Sequence, residues 1–245
     1  MINNSAITKK TPSKINYYLA SISFLIGSVG LIYLRLLFVL GLFDSLSDGL
    51  IDFLASFLIQ GVFIFGGGFF VLFIHNKLYN KNPLNQERKT LKSRFIDLGF
   101  KLPRIYIIML SFLLGILFFI MSLGISYINT LILLILGYNF PATAPEAVGG
   151  VGYFLLALFN SAVMPAFCEE FLSRGLILRG LKDTMRERTA IIFSAVLFGL
   201  MHANIRQTLY TMVGGIFLAL ITLRTKSIYP AMIIHFMNNA ISVYS

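Results

Sequence analysis

The chain has 245 residues, of which 57% are apolar and only 12% are charged, and its mean hydropathy is +0.83. This composition excludes a soluble globular domain of that length and indicates a helical membrane protein with several spans. The net charge of +10 lies in short segments between apolar runs, where membrane topology explains it, so we expect no nucleic-acid partner.

Seven apolar runs predict an all-α bundle of about seven transmembrane helices. In chain order these runs are 17–43, 53–74, 105–138, a run from 151 to the basic loop at Arg179, 189–203, 209–223 and 229–243. The third run would form a straight helix of about 51 Å, which is longer than a hydrocarbon core of roughly 30 Å. We therefore expect a break at Gly124 and Ser126, followed by a tail in the outer interface. Pro165 predicts a kink in the fourth span.

The basic residues favour one orientation in the membrane. Of the 20 Lys and Arg residues, 17 fall in segments that this orientation places inside the cell. The positive-inside rule then predicts a cytoplasmic N-terminus and an outer C-terminus. The long polar segment 75–104 faces the cytoplasm, and Leu91, Phe95 and Leu98 predict a short amphipathic helix within it.

Two adjacent carboxylates and an arginine interrupt the fourth span. Each charge at a bilayer centre costs about 2.5–3.5 kcal/mol, so the group needs partners and a purpose. On a helix, Glu170 lies four residues before Arg174, the favourable order for an ion pair, whereas Glu169 points about 100° away. Glu170 and Arg174 therefore predict a structural pair, and Glu169 remains for chemistry. The alternative is an ion pair that only locks two helices together. The neighbouring negative charge disfavours Cys168 as a thiolate nucleophile.

Two histidines lie within later spans. His202 follows Phe198 by one helical turn, and His235 precedes Asn239 by one turn. Counted from the inner ends of their helices, Glu169 lies about 15 Å deep and His202 about 21 Å deep, so both can reach one pocket with His235 and Asn239. Such a pocket suits water activation and carbonyl polarisation. Alternatively, each histidine is a hydrogen-bond partner in helix packing.

Three short motifs on successive helices carry a family resemblance. They are Glu169-Glu170-xxx-Arg174, Phe198-xxx-His202 and His235-xxx-Asn239. In that order they resemble the CPBP family of intramembrane proteases, which includes the CAAX prenyl endopeptidases and the bacterial bacteriocin-processing and immunity proteins called Abi. Ser173 departs from the pattern, because the family usually has an aromatic residue before the arginine. The resemblance covers 151–245 as a catalytic helical domain, and 1–150 would contain the first three helices and the loop 75–104.

The resemblance implies an endopeptidase that hydrolyses a peptide bond of a membrane-associated or lipidated peptide or protein. The implied roles are water activation by Glu169 and His202, oxyanion stabilisation by His235 and Asn239, and support of the site by Glu170, Arg174 and Phe198. We also expect a multi-pass protein of a bacterial cytoplasmic membrane, whose partners are the lipid bilayer and that substrate.

The role of a metal stays open at this point. Members of the family are often called metalloproteases, but the chain lacks the His-Glu-x-x-His pattern of a zincin helix. We expect no obligatory cofactor; if zinc is bound, Glu169, His202 and His235 would hold it. The alternative function is non-enzymatic: a bacteriocin immunity or scaffold protein, or a proton-coupled transporter. The sequence has no internal repeat, which disfavours the transporter.

Overall fold

The computed structural model describes residues 22, 24, 25, 28–30, 48–83, 87–139 and 150–244. Within these residues the regular structure is entirely helical and contains no strand. Residues 22, 24, 25 and 28–30 are helical. The first helix with defined bounds, α1, consists of the consecutive segments Asp48–Ser56, Phe57–Gly66 and Gly67–Lys81. The others are α2 (Leu91–Asp97), α3 (Ile105–Ile135), α4 (Val151–Lys182), α5 (Glu187–Met201), α6 (Ile205–Thr225) and α7 (Tyr229–Tyr244). Most of the first predicted span, 17–43, lies outside the described residues.

Four helices in the described part of the chain are long and apolar enough to cross a membrane. They are Phe53–Lys81, Ile105–Ile135, Val151–Lys182 and Ile205–Thr225. The protein is therefore a multi-pass membrane protein. Helices α5 and α7 have only 15 and 16 residues, or about 22–24 Å of helix. The count of seven spans and the orientation of the termini stay predictions.

The expected break in the third apolar run is wrong. Helix α3 continues for 31 residues through Gly124 and Ser126, and the Ser126 carbonyl accepts the Thr130 hydroxyl at 2.9 Å inside it. A glycine costs a helix only about 1 kcal/mol relative to alanine, too little to end one that neighbouring helices support. The helix instead ends just before Gly137, whose φ of +81° suits a glycine C-terminal cap. At about 46 Å, α3 must tilt or extend beyond the hydrocarbon core.

The amphipathic helix predicted within 75–104 is confirmed as α2. It begins after Thr90, whose Oγ1 accepts a hydrogen bond from the Ser93 backbone N–H at 3.2 Å, an N-cap of the usual kind. Its apolar side contacts the bundle: the Phe95 ring stacks 6.0 Å from the Phe171 ring of α4, and Leu98 is 5% exposed. This loop therefore packs against the helix that carries the carboxylates.

Helix α4 runs through Pro165 without interruption, but not with uniform geometry. Two stretches, Phe159–Val163 and Phe171–Ile177, have wider π-helical turns. The first ends just before the segment Met164–Glu170, which has Pro165 near its start. Because proline lacks an N–H and crowds the preceding turn, a wider turn at this point accommodates it. The kink predicted at Pro165 stays a prediction, and the carboxylates lie between the two wide turns.

Small residues let the helices approach closely where they cross. A Cβ atom at Gly68 of α1 would lie 3.0 Å from the Phe171 ring of α4, and one at Gly215 of α6 would lie 3.0 Å from Ala195 of α5. Close backbone contact of this kind is how membrane helices associate when lipid offers no hydrophobic driving force. One apolar cluster joins α1, α4 and α5, and a second joins α3, α6 and α7.

Candidate active site

A cavity of about 390 Å³ lies among α3, α4, α5, α6 and α7. Its walls combine apolar side chains such as Phe118 and Leu218 with polar ones from α4, α6, α7 and the end of α5. The residues that the sequence analysis assigned to one pocket all line it: Glu169, His202, His235, Asn239 and their neighbour Phe198. The structure therefore brings the three motifs together at one place within the apolar bundle.

Among the described groups, one carboxylate oxygen of Glu169 has a hydrogen-bond partner and the other has none. Its side chain is largely buried, and Oε1 accepts a hydrogen bond from Gln60 Nε2 of α1 at 2.6 Å. Oε2 is buried, and no group in the described residues hydrogen-bonds to it. His202 Nε2 lies 3.7 Å from Oε2, too far for a direct hydrogen bond. The two atoms are close enough to share a bridging water.

A backbone carbonyl in the last turn of α5 holds the neutral His202 ring in one tautomer. Its Nδ1 lies 2.8 Å from the Phe198 carbonyl oxygen. Because a carbonyl only accepts hydrogen bonds, Nδ1 must carry the proton, and Nε2 of the neutral ring presents a lone pair. The next residue, Ala203, has a φ of +45°, which is uncommon for a residue with a side chain. His202 therefore sits where α5 stops.

Glu170 and Arg174 form the predicted ion pair, and His235 joins it. Glu170 Oε1 lies 2.9 Å from Arg174 Nη1 and 2.9 Å from His235 Nδ1. Glu170 is 0% exposed and Arg174 is 2% exposed. Arg174 Nη2 also lies 3.5 Å from the Gly215 carbonyl of α6. The group thus links α4, α6 and α7 behind the cavity. The Glu170–His235 contact is not predicted by the spacing of the residues in the sequence.

Phe198 is the common neighbour of these charged and aromatic groups. The Arg174 guanidinium lies 4.2 Å from the centre of the Phe198 ring, within the range of a cation–π contact. The His202 and His235 rings meet Phe198 edge-on, with centroids at 4.9 Å and 6.1 Å. Phe198 therefore fixes the relative positions of both imidazoles and the arginine.

Asn239 is oriented by a chain of hydrogen bonds across three helices. Its Nδ2 donates to the Ser161 carbonyl of α4 at 3.0 Å, within the first wide turn. Its Oδ1 accepts from Asn238 Nδ2 at 2.9 Å, and Asn238 Oδ1 accepts from Ser122 Oγ of α3 at 2.8 Å. One of the two Nδ2 protons thus remains for a ligand in the cavity.

Several residues that belong to or support the site were not predicted from the sequence. Gln60 is an isolated amide in an apolar span, which is a recognisable signal of an intramembrane contact, but nothing in the sequence pairs it with Glu169. Asn238 and Tyr210 also line the cavity, and no spacing argument selects them. Ser173, the departure from the family pattern, is 1% exposed, and its Oγ has no hydrogen-bond partner among the described groups.

The residues present do not form a metal site of three protein ligands. Within the described ranges, no three His, Cys, Asp or Glu side chains are grouped closely enough to hold a metal ion. The zinc set of Glu169, His202 and His235 is therefore not assembled in this geometry. His235 Nδ1 is engaged by Glu170, which leaves Nε2 as the nitrogen of this ring that could bind a metal.

The cavity thus contains a carboxylate with one oxygen that has no hydrogen-bond partner among the described groups, together with two imidazoles and an amide, which are groups that a hydrolase site can use. Residues 151–241 match the family model described as type II CAAX prenyl endopeptidase Rce1-like. This match confirms the resemblance to the CPBP proteases for that part of the chain and supports an endopeptidase. No curated protein and no solved structure matches the chain.

Proposed function

We propose that the protein is an intramembrane endopeptidase that hydrolyses a peptide bond of a membrane-associated or lipidated peptide or protein. The observation that carries this proposal is the pair Glu169 Oε2 and His202 Nε2, 3.7 Å apart. When Glu169 is ionised and the His202 ring is neutral, both atoms are hydrogen-bond acceptors, and neither can donate to the other. A water molecule has two O–H groups and can donate one to each, so the geometry suits a nucleophilic water.

In the proposed reaction Glu169 is the general base. As the water oxygen attacks the substrate carbonyl carbon, one water proton passes to Glu169 Oε2 and the carbonyl π electrons move to its oxygen. When the tetrahedral intermediate collapses, the C–N bond breaks and the proton on Glu169 passes to the leaving amine. General-base catalysis of this type contributes about 10²- to 10⁴-fold.

Asn239 and His235 are the proposed donors to the oxyanion. The free Nδ2 proton of Asn239 is available for this purpose. His235 already donates Nδ1–H to Glu170, so its Nε2 can donate only when the ring is protonated. Glu170 and Arg174 would act behind them by holding this ring in position.

We propose that these steps need no obligatory metal, because the protein groups already provide a base, a water site and an oxyanion donor. The match to a protease family favours this function over the immunity, scaffold and transporter alternatives. A bacteriocin-related role and a bacterial membrane stay predictions from resemblance and composition.

The test uses purified protein in liposomes and the variant Glu169→Gln. Substrates are a quenched peptide with a farnesylated C-terminal CAAX sequence, its unprenylated copy, and a membrane-protein extract in which new peptide termini are read by mass spectrometry. We expect wild-type cleavage and a loss of at least about 10²-fold in the variant. Glu87→Gln makes the same chemical change at an exposed residue and should leave cleavage unchanged. Cleavage by a folded Glu169→Gln at the wild-type rate would refute the mechanism, and no cleavage of any substrate by wild type would refute the endopeptidase.

A further inference from the structure

Gln60 is a polar side chain placed deep in an apolar helix. The α1 segment that contains it reads FLIQGVFIFG, in which every other side chain is apolar or absent. Although its side chain is polar, Gln60 is buried, with only 8% of its surface exposed. Burying an amide without hydrogen bonds costs several kcal/mol in an apolar medium, so this position calls for a specific partner.

That partner is the carboxylate assigned above as the base. Gln60 Nε2 lies 2.6 Å from Glu169 Oε1. An ionised carboxylate only accepts hydrogen bonds, so the amide must present its NH2 group to it. A donor bound to Oε1 fixes the rotation of the carboxylate and leaves Oε2 as the oxygen that faces His202. Gln60 itself stands behind Glu169 and is not among the residues that line the cavity.

The surrounding contacts hold α1 firmly against α4. One turn before Gln60, Ser56 Oγ donates to the Asn160 carbonyl of α4 at 3.1 Å. Beyond it, the Phe65 ring packs 5.2 Å from Phe167 and 5.1 Å from Phe171. These phenylalanines lie two residues on either side of Glu169, so the amide donor is held in place by packing on both sides of the carboxylate.

We propose that Gln60 is a positioning residue of the active site, which orients Glu169 so that Oε2 receives the proton of the nucleophilic water. This inference rests on the proposed function. It also extends the site beyond the matched residues 151–241, because the donor comes from the N-terminal part of the chain.

The test measures kcat and KM for Gln60→Met, which keeps the side-chain length but cannot donate. A hydrogen bond to a charged group corresponds to about 10- to 100-fold when it is lost. We expect that loss in kcat, with KM changed by less than about threefold, because Gln60 does not reach the substrate space. Ser56→Ala is the matched control: it removes a hydrogen bond between the same two helices one turn away and should keep the wild-type kcat.

Gln60→Asn gives a second measurement, because it retains the amide but is one methylene too short to reach Oε1; we expect a similar loss in kcat. A wild-type kcat in either folded variant would overturn the proposal. So would an equal loss in Ser56→Ala, which would make the effect one of helix packing. Glu169→Gln is assayed in parallel. If it is inactive while Gln60→Met is normal, only the positioning role fails. An active Glu169→Gln refutes the general-base mechanism on which that role rests, and a wild-type protein that cleaves no substrate refutes the proposed function itself.

Discussion

Replacing Arg174 with alanine tests whether the buried charges behind the cavity are structural. Arg174 is paired with Glu170 at 2.9 Å, and both side chains are almost completely removed from the surface. Among the described groups, the substitution leaves Glu170 with His235 as its remaining side-chain hydrogen-bond partner. Loss of one partner from a buried ion pair costs about 3–5 kcal/mol, because the other charge stays desolvated.

This loss is a large share of the stability of a typical domain, which is about 5–15 kcal/mol. The contact between the guanidinium and the Phe198 ring is lost as well, and such contacts contribute about 0.5–2 kcal/mol. For a chain of this size 1 kcal/mol corresponds to roughly 2–4 °C in Tm. We therefore expect Arg174→Ala to lower Tm by at least about 6 °C and to reduce the amount of protein in the membrane.

Thermal unfolding in detergent, followed by the loss of soluble monomer, measures this change. The double variant Glu170→Gln with Arg174→Met removes both charges and should be more stable than Arg174→Met alone. Lys89→Ala breaks the half-exposed pair with Asp97 and should change Tm far less. An Arg174→Ala protein that is abundant, has the wild-type Tm and is inactive would refute the structural assignment and place Arg174 in contact with the substrate.

Two further predictions concern topology and metal. Reporter fusions at Asn85 and Ser245 should give opposite signals, because the positive-inside rule predicts a cytoplasmic 75–104 loop and an outer C-terminus. Matching signals would contradict the predicted odd number of spans. Purified protein should keep its cleavage activity after exhaustive chelation, because the proposed mechanism uses only protein groups and water; activity that disappears with a strong chelator and returns with stoichiometric zinc would refute the metal-free mechanism and leave the protease assignment intact.

The sequence predicted the helices well because membrane helices depend on apolar length, which is a local property. It failed within α3, where Gly124 and Ser126 were expected to break the helix. The intrinsic penalty of a glycine is small, and whether a helix continues depends on the helices packed around it. Here side-chain contacts hold α3 against the rest of the bundle. For example, Asn129 Nδ2 donates to the Ile205 and Arg206 carbonyls of α6.

In the site, too, contacts within one helix could be predicted from the sequence, whereas contacts between helices could not. The Glu170–Arg174 pair follows from a spacing of four residues on one helix, and the structure contains it. The contacts of Glu170 with His235 and of Glu169 with Gln60 join residues 65 and 109 positions apart. No periodicity in the sequence reports such contacts, because they depend on which helices cross and at what depth.

In the proposed mechanism the two adjacent carboxylates allow the two histidines to serve different steps. Helix geometry sends Glu169 toward Gln60 and His202, and Glu170 toward Arg174 and His235. His202 donates Nδ1–H to an uncharged carbonyl, so Nε2 of its neutral ring can accept a hydrogen bond from a water molecule. His235 donates Nδ1–H to an anion, which would compensate a positive charge on its ring while Nε2 donates to an oxyanion. In the proposed mechanism the same residue type therefore accepts a hydrogen bond beside Glu169 and donates one beside Glu170, because the partner of Nδ1 differs.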